Sequence, residues 1–348
     1  MNRFLLVASM ALCSSITFAQ PGPPPSKPVP ETFFGTEVRD PYRNLEDTKS
    51  PPVASWMKAQ SSYAHSLLSS ISGRDAIYKS IVKYEEAVPA RVAVVSRETG
   101  DLWFYERRGA NENQFKLWMR QGLDGKNRLL VDPEAIQKRT GKPHAINYYA
   151  SAPGGDAVAY GLSAAGSEAA VLHVIDTRSG KAIGKPIDRA DFGAVSFTPD
   201  GRVMFFNRLQ QVKKGMAPTE KYQRSQVFML KPGEDVARAV PVFGLGVAGV
   251  DITPAEIPIA GVTHDGKWAL GLVFNGTQRE ISLYVAPAPS VLAAKPQWKK
   301  LIDAKDEVTN FAYLNDELTL LTHKGAPRSK VIRIGLNNPD LESAQVLM

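Results

Sequence analysis

The chain has 348 residues, 43% of them apolar and 22% charged, an ordinary globular composition that excludes a wholly disordered or collagen-like polymer. Its formal charge of +7 comes from basic pairs such as Arg107–Arg108, Lys213–Lys214 and Lys299–Lys300, scattered among acids rather than gathered into one patch, so no nucleic-acid partner is expected. Cys13 is the single cysteine and lies in a segment expected to be removed, which excludes disulfides, thiolate metal sites and a cysteine nucleophile from the mature protein.

Residues 1–19 open on "MNR", run through "FLLVASMALCSSITF" and close on "TFA", the basic, apolar and small-residue order of a signal peptide cleaved after Ala19. The apolar run is too short for a membrane span, and Leu12 is too large for the position before a lipidated cysteine. Export to the bacterial periplasm or beyond is therefore expected, with no membrane association after cleavage. Residues 20–30 hold the proline-rich "PGPPPSKPVP", an extended leader, because proline lacks a donor and fixes φ. Residues 31–86 read as a helical segment. Ser50 with Pro51 and Pro52 opens a helix, and Val53, Trp56, Met57, Gln60, Tyr63, Ala64, Leu67 and Leu68 recur on one face. Gly73 breaks that run before a second short helix ending near Glu85.

Over 87–348 short strands rich in Val, Ile, Phe and Tyr replace the helical pattern. Five copies of one unit appear, each a turn, a strand, a polar loop and a second strand. The turns are "ETGD" at 98, "PGGD" at 153, "PDGR" at 199, "HDGK" at 264 and "LNDE" at 314. The strands after them are "LWFYER", "AVAYGLS", "VMFFNR", "WALGLVF" and "LTLLTH"; the second strands are "KLWMRQ", "VLHVID", "QVFMLK", "ISLYVA" and "KVIRIGL". The turn glycines at 100, 155, 201 and 266 recur at about 46–65 residues, a blade-like period that points to a β-propeller.

Several motifs in this region fall short of the chemistry they resemble. "YGLSAAGSE" at 160–168 approaches the nucleophile elbow G-x-S-x-G, but Ala165 stands at the second glycine position and a strand, not a helix, follows, so Ser163 reads as a hairpin serine. "GLGVAG" sets Gly244, Gly246 and Gly249 at dinucleotide-loop spacing, yet Pro254 and its β-branched neighbours argue against the helix that a pyrophosphate needs. His65, His144, His173, His264 and His323 have no partners at metal-ligand spacing, and no metal or cofactor is expected. Asp251, Glu256 and Asp265 could converge on a propeller channel as in metal-dependent propeller lactonases, a weaker reading.

"DPYRNLED" at 40–47, followed by Trp56 and Gln60 in "WMKAQ", resembles the N-terminal signature of prolyl oligopeptidase-type serine peptidases. "LVDPEAI" at 130–136, "YGLSAAGSE", "VIDTRSGK" at 174–181, "FTPDGRVMFFNR" at 197–208 and "LYVA" at 283–286 follow that family's propeller in order. The resemblance covers roughly residues 29–348. It implies an all-β fold, a propeller with about five of seven blades in an open arc, preceded by a short helical segment. It also implies a Ser-Asp-His triad in a later α/β-hydrolase domain that no segment of this sequence matches, so no catalytic residue is carried over.

By that resemblance the chain is expected to be the gating propeller portion of an exported serine endopeptidase that cleaves short peptides after proline, truncated before its catalytic domain and inactive alone. The alternative is a free-standing periplasmic propeller that binds a peptide without cleaving it. The expected partners are short proline-containing peptides in the channel and a hydrolase domain that completes the fold. The loop that the family turns toward substrate corresponds to about 253–258, with Thr253, Pro254, Glu256 and Pro258 as candidate site residues. Two aromatic anchors of the family are replaced, by Asn44 in "DPYRNLED" and by Ala169 after "GSE".

Overall fold

The structure, a computed structural model, describes residues 20–348. The expected signal peptide, with Cys13, lies outside the described residues. Two compact units divide at Val88 and Pro89. Among the described residues no helix is long and apolar enough to cross a membrane.

In the first unit, β1 (Val29–Phe33) and β2 (Thr36–Asp40) form a hairpin in register from Val29 opposite Asp40 to Phe33 opposite Thr36. Its two-residue turn puts both Phe34 and Gly35 at positive φ, the geometry whose twist matches the flanking strands. The sequence reading needs two corrections here. Val29 and Pro30 belong to β1 rather than to an unpaired leader; a two-stranded ribbon leaves one edge of each strand open, where a missing N–H costs nothing. The helical part of 31–86 begins only at α1 (Pro51–Ser70), followed by α2 (Arg74–Glu85) after Gly73 at φ 82°.

The expected stripe on α1 also divides. Val53 is buried and Trp56, Gln60 and Tyr63 are half-buried, whereas Met57, Ala64, Leu67 and Leu68 are exposed. The covering chain is the leader itself, whose Gly22 carbonyl accepts hydrogen bonds from Trp56 Nε1 at 3.2 Å and Gln60 Nε2 at 3.5 Å.

The second unit is five antiparallel meanders. The first sheet runs β3 (Ala90–Glu98), β4 (Leu102–Gly109), β5 (Lys116–Gln121) and β6 (Arg128–Val131), and α3 (Pro133–Thr140) leads out of it. The second has β7 (His144–Ser151), β8 (Ala157–Ala164) and β9 (Val171–Asp176), with bridges from Leu172 to Ile187 and Ile175 to Ala182 where a fourth strand would lie. The third runs β10 (Val195–Phe197), β11 (Met204–Arg208), β12 (Gln226–Leu230) and β13 (Val240–Gly244). The fourth runs β14 (Ile257–Val262), β15 (Trp268–Phe274), β16 (Ser282–Pro287) and β17 (Lys299–Ile302), with the short α4 (Ala288–Leu292) between its last two strands. The fifth runs β18 (Val308–Leu314), β19 (Glu317–Thr322), β20 (Lys330–Gly335) and β21 (Gln345–Val346).

The five sequence units are the second and third strands of these sheets. "TPDG" and "THDG" build the same turn in the third and fourth. Thr198 Oγ1 donates to Asp200 Oδ1 and Thr263 Oγ1 to Asp265 Oδ1, both at 2.6 Å, while Gly201 N and Gly266 N close back on the threonine carbonyls.

Four apolar clusters lie between consecutive sheets: Phe104 with Tyr160, Leu172 with Phe206, Phe243 with Tyr284, and Leu283 with Leu320 mark them in order. Among the described residues no cluster joins the fifth sheet to the first. The sheets therefore form an open arc, and one face of each end sheet lacks the apolar seam that every internal face has. Packing inside the arc is tight: a Cβ on Gly271 would come within 2.5 Å of the Phe243 ring, and one on Gly161 within 2.2 Å of Tyr148.

Candidate functional site

The first strands of neighbouring sheets approach one another, and a cleft of about 320 Å³ opens where β10, β14 and β18 meet. Its walls are apolar, with Val195, Ile259, Val262 and Leu272, and its polar groups come from Ser196, His264 and Tyr313. Gly261 permits the approach, since a Cβ there would lie 2.7 Å from Ser196 Oγ. Ser196 Oγ in turn donates to the Ala260 carbonyl at 3.3 Å, tying β10 to β14. The His264 ring meets Tyr313 edge-on at 5.6 Å. An apolar groove with a few placed polar groups suits an extended peptide side chain better than a charged metabolite.

One rim of the cleft is a polar clasp between the fourth and fifth sheets. Tyr313 OH donates to Asp265 Oδ2 at 2.6 Å, Lys267 Nζ to Asp316 Oδ2 at 2.6 Å and Trp268 Nε1 to Asp316 Oδ1 at 2.8 Å. Burial pushes Asp265 up, but the hydrogen bonds from Thr263, Tyr313 and the Lys267 amide together outweigh it and hold the carboxyl at about 2. Tyr313 is pushed up to about 12 by burial and by its bond to that carboxylate. Asp265 therefore contributes stability that is complete above its ordinary value of 3.8 and is lost as pH falls through about 2. Asp265→Asn is expected to cost about 1 kcal/mol at pH 7, with the gap to wild type closing toward pH 2 in thermal melts. A gap unchanged at pH 2 would contradict this origin.

The four candidate loop residues are not in the cleft. Thr253 N donates to Glu256 Oε2 at 2.5 Å, Glu256 N to the Thr253 carbonyl at 3.2 Å and Arg224 N to the Pro254 carbonyl at 2.6 Å, so 253–256 is a self-bonded turn. Pro258 needs correction: it is buried within β14, and its carbonyl accepts from Asn207 Nδ2 at 2.8 Å. A first strand beside another sheet can accept proline because its inward edge has no ladder partner. Sequence reading missed Ser196, His264 and Tyr313 because each looked like turn or strand punctuation; only Gly261 beside two β-branched residues hinted at a close approach.

The remaining motifs fall into structural places. Ser163 is buried in β8 opposite Ala145, and its strand runs into a turn at Ala165 and Gly166, both at positive φ. Gly249 lies where a Cβ would come within 2.4 Å of the Trp298 carbonyl, a packing reason for that glycine. His173 stacks on Tyr160 at 5.2 Å and is held below its ordinary value by burial, then by His144. His323 Nε2 and Nδ1 meet Glu280 and Glu307 at 2.9 and 2.8 Å. Among the described residues no three His, Cys, Asp or Glu side chains are grouped to hold a metal, and Asp251, Glu256 and Asp265 do not converge.

The profile of the prolyl oligopeptidase N-terminal β-propeller domain matches residues 24–348. The chain belongs to this family. It is 24% identical over 319 residues to the prolyl endopeptidase of Elizabethkingia meningoseptica, covering 90% of this chain and 42% of the relative. The prolyl endopeptidase of Elizabethkingia miricola is 23% identical, again over 90% of this chain and 42% of the relative. Among solved structures, one from a study of two prolyl endopeptidases superposes with a TM-score of 0.77 at 25% identity, over 93% of this chain and 45% of the other. Prolyl oligopeptidase B of Galerina marginata gives 0.73 at 17% identity, over 95% and 48%. The chain thus spans less than half the length of these peptidases.

The two positions noted as departures, Asn44 and Ala169, both lie in incompletely satisfied or unfilled surroundings. Asn44 Nδ2 donates to the Pro25 carbonyl at 2.9 Å while its Oδ1 is buried without a partner. Ala169 lies on the wall of a cleft of about 390 Å³, lined also by Leu209 and Val212.

Proposed function

We propose that this chain is the peptide-gating portion of an exported prolyl oligopeptidase-like serine peptidase. The observation that carries the proposal is the family match over residues 24–348, confined to the propeller part of prolyl endopeptidases. The cleft at β10, β14 and β18 receives an extended, proline-containing segment; the self-bonded turn of Thr253, Pro254 and Glu256, with Pro258 after it in β14, lies outside that cleft and would meet substrate only as it enters. Cleavage belongs to a hydrolase domain. Ser163 is not a candidate nucleophile, because it is buried in a ladder and no described histidine hydrogen-bonds to it. Nucleophilic attack needs a base within hydrogen-bond reach and donors aimed at the oxyanion. Export is part of the proposal and rests on the order of residues 1–19.

The test is to treat the purified chain with a fluorophosphonate probe and, separately, with a photoreactive Gly-Pro peptide. The expected outcome is no serine labelling and photolabel at residues 194–196 and 259–264. Fluorophosphonate on any serine would overturn the non-catalytic assignment. Photolabel spread over the surface would overturn the gating cleft, and saturable label there from peptides with and without proline alike would favour a general peptide-binding propeller.

A further inference from the structure

The seam between the fourth and fifth sheets is fastened at both ends, by different chemistry. β15 and β19 each start at the clasp, where Trp268 and Lys267 meet Asp316, and each ends at a second polar cluster beyond Phe274 and Thr322. There His323, which follows β19, sets its two ring nitrogens against two carboxylates. Nε2 lies 2.9 Å from Glu280 Oε1, and Nδ1 lies 2.8 Å from Glu307 Oε2. Glu280 belongs to the loop that leads into β16 of the fourth sheet, and Glu307 to the turn that leads into β18 of the fifth. Between the two fastenings the seam is apolar, with Leu283 and Leu320 in one buried cluster.

A neutral imidazole carries one N–H, so it donates to one glutamate only and turns a lone pair toward the other. The imidazolium donates from both nitrogens and satisfies both carboxylates with charge-assisted bonds. Backbone bonds decide which contact gives way when the ring is neutral. His323 N donates to the Glu307 carbonyl at 3.2 Å and Thr322 Oγ1 to the Asp306 carbonyl at 2.8 Å, which hold Glu307 beside the ring within one sheet. The Glu280 contact is the one that crosses the seam, and next to it Ile281 N donates across to the Val308 carbonyl at 2.9 Å. Of the other charged groups on these segments, Lys324 pairs with Asp306 at 2.9 Å, while Arg279, Lys305 and Arg328 are exposed.

We propose that His323, Glu280 and Glu307 form a proton-operated latch on this seam, fastened by the imidazolium in mild acid and released across the seam when the ring becomes neutral. Histidine ordinarily changes charge between about pH 5 and 8, so the cross-sheet contact is complete at the acid end of that range and lost at the alkaline end. On the acid side, Glu280 is held low by its bond to His323 first and its own backbone amide second. Its contribution is therefore complete above its ordinary 4.5 and is lost as pH falls through the lowered value. The clasp at the other end keeps its charge throughout, since Asp265 stays ionised down to about 2. The two sheets thus loosen from the His323 end while hinged at the clasp, and their first strands, β14 and β18, line the candidate cleft. The proposal rests on this internal seam and not on the peptidase reading.

Amide hydrogen exchange of the full chain at pH 5.5 and pH 8, corrected for the intrinsic pH dependence of exchange, tests the latch. Protection of residues 279–283 is expected to fall about fivefold from the lower to the higher pH, with residues 264–268 at the clasp unchanged. Glu280→Gln is the decisive variant. Its amide donates to the bare ring nitrogen while the other nitrogen donates to Glu307, so protection at pH 8 should stay at the acid level. His323→Gln should give low protection at both pH values. No step in the wild type, a step that persists in His323→Gln, or a Glu280→Gln variant that loosens at pH 8 as wild type does would each overturn the proposal. An equal fall at residues 264–268 would overturn it too, by showing that the propeller loosens as a whole. If His323→Gln does not fold, wild type and Glu280→Gln decide.

Discussion

Replacing Trp298 by Ala is expected to lower the stability of the propeller unit by about 3–5 kcal/mol. The indole fills the seam between the third and fourth sheets, buried to 4% exposure and 4.7 Å from the Phe243 ring, which also meets Tyr284 at 5.4 Å. Its Nε1 donates to the Val242 carbonyl at 2.7 Å, so truncation both opens a cavity and strands an acceptor of β13. Gly271 crowds the same ring and limits collapse into the void. Trp298→Phe should recover most of the packing term and none of the hydrogen bond, giving an intermediate loss. Chemical denaturation followed by far-ultraviolet circular dichroism measures both; a loss below about 1 kcal/mol for Trp298→Ala would show the seam to be pliable.

Lys116→Met should cost a similar amount at neutral pH, about 3–5 kcal/mol, because removing one partner of a buried ionic cluster leaves the others uncompensated. Burial alone would push Lys116 down, but bonds to Glu112, Glu134 and Asp132 outweigh it and raise the ammonium above its ordinary range. The Glu112 carboxyl is held low by its bond to Lys116 first and the Gly109 amide second. Burial raises Asp132, but the Ala135 amide and then Lys116 bring it below its usual value. Both carboxylates thus stabilise the fold above their unfolded values and lose that contribution as pH falls through their depressed folded values. In the Met variant this support is gone, so its deficit is expected to be full at pH 7 and to shrink as the carboxyls protonate below about pH 4.5. A pH-independent deficit would mean that lost packing of the lysine stem, not charge, causes it.

The second strands of the internal sheets were legible because each packs on both faces between neighbouring sheets and so reads as a dense apolar run, as in "VMFFNR" and "WALGLVF". First strands were not, because they turn one edge to open space; β3 reads "ARVAVVSRE" and is mostly exposed or half-buried. Outer strands such as β21, only 2 residues long, are set by pairing with β20 and have almost no pattern of their own. The α1 stripe misled for a related reason: periodicity says which residues share a face, not how much of that face is covered. In the candidate cleft, His264 comes from the turn after β14 and Tyr313 from β18 of the next sheet, and only their three-dimensional approach joins them. Residues 253–256 form a turn, whereas Pro258 was read as part of the same loop where β14 holds it.

Hydroxyl-radical footprinting of the tryptophans tests the open five-sheet arc most directly, at concentrations where sizing shows a monomer. Trp103 and Trp118 lie on the uncovered end face, whereas Trp298 is sealed between internal sheets. An open arc predicts rapid modification of Trp103 and measurable modification of Trp118, with Trp298 protected until the chain unfolds. Equal protection of Trp103, Trp118 and Trp298 in the monomer would contradict it, because only closure of the fifth sheet onto the first would bury that face.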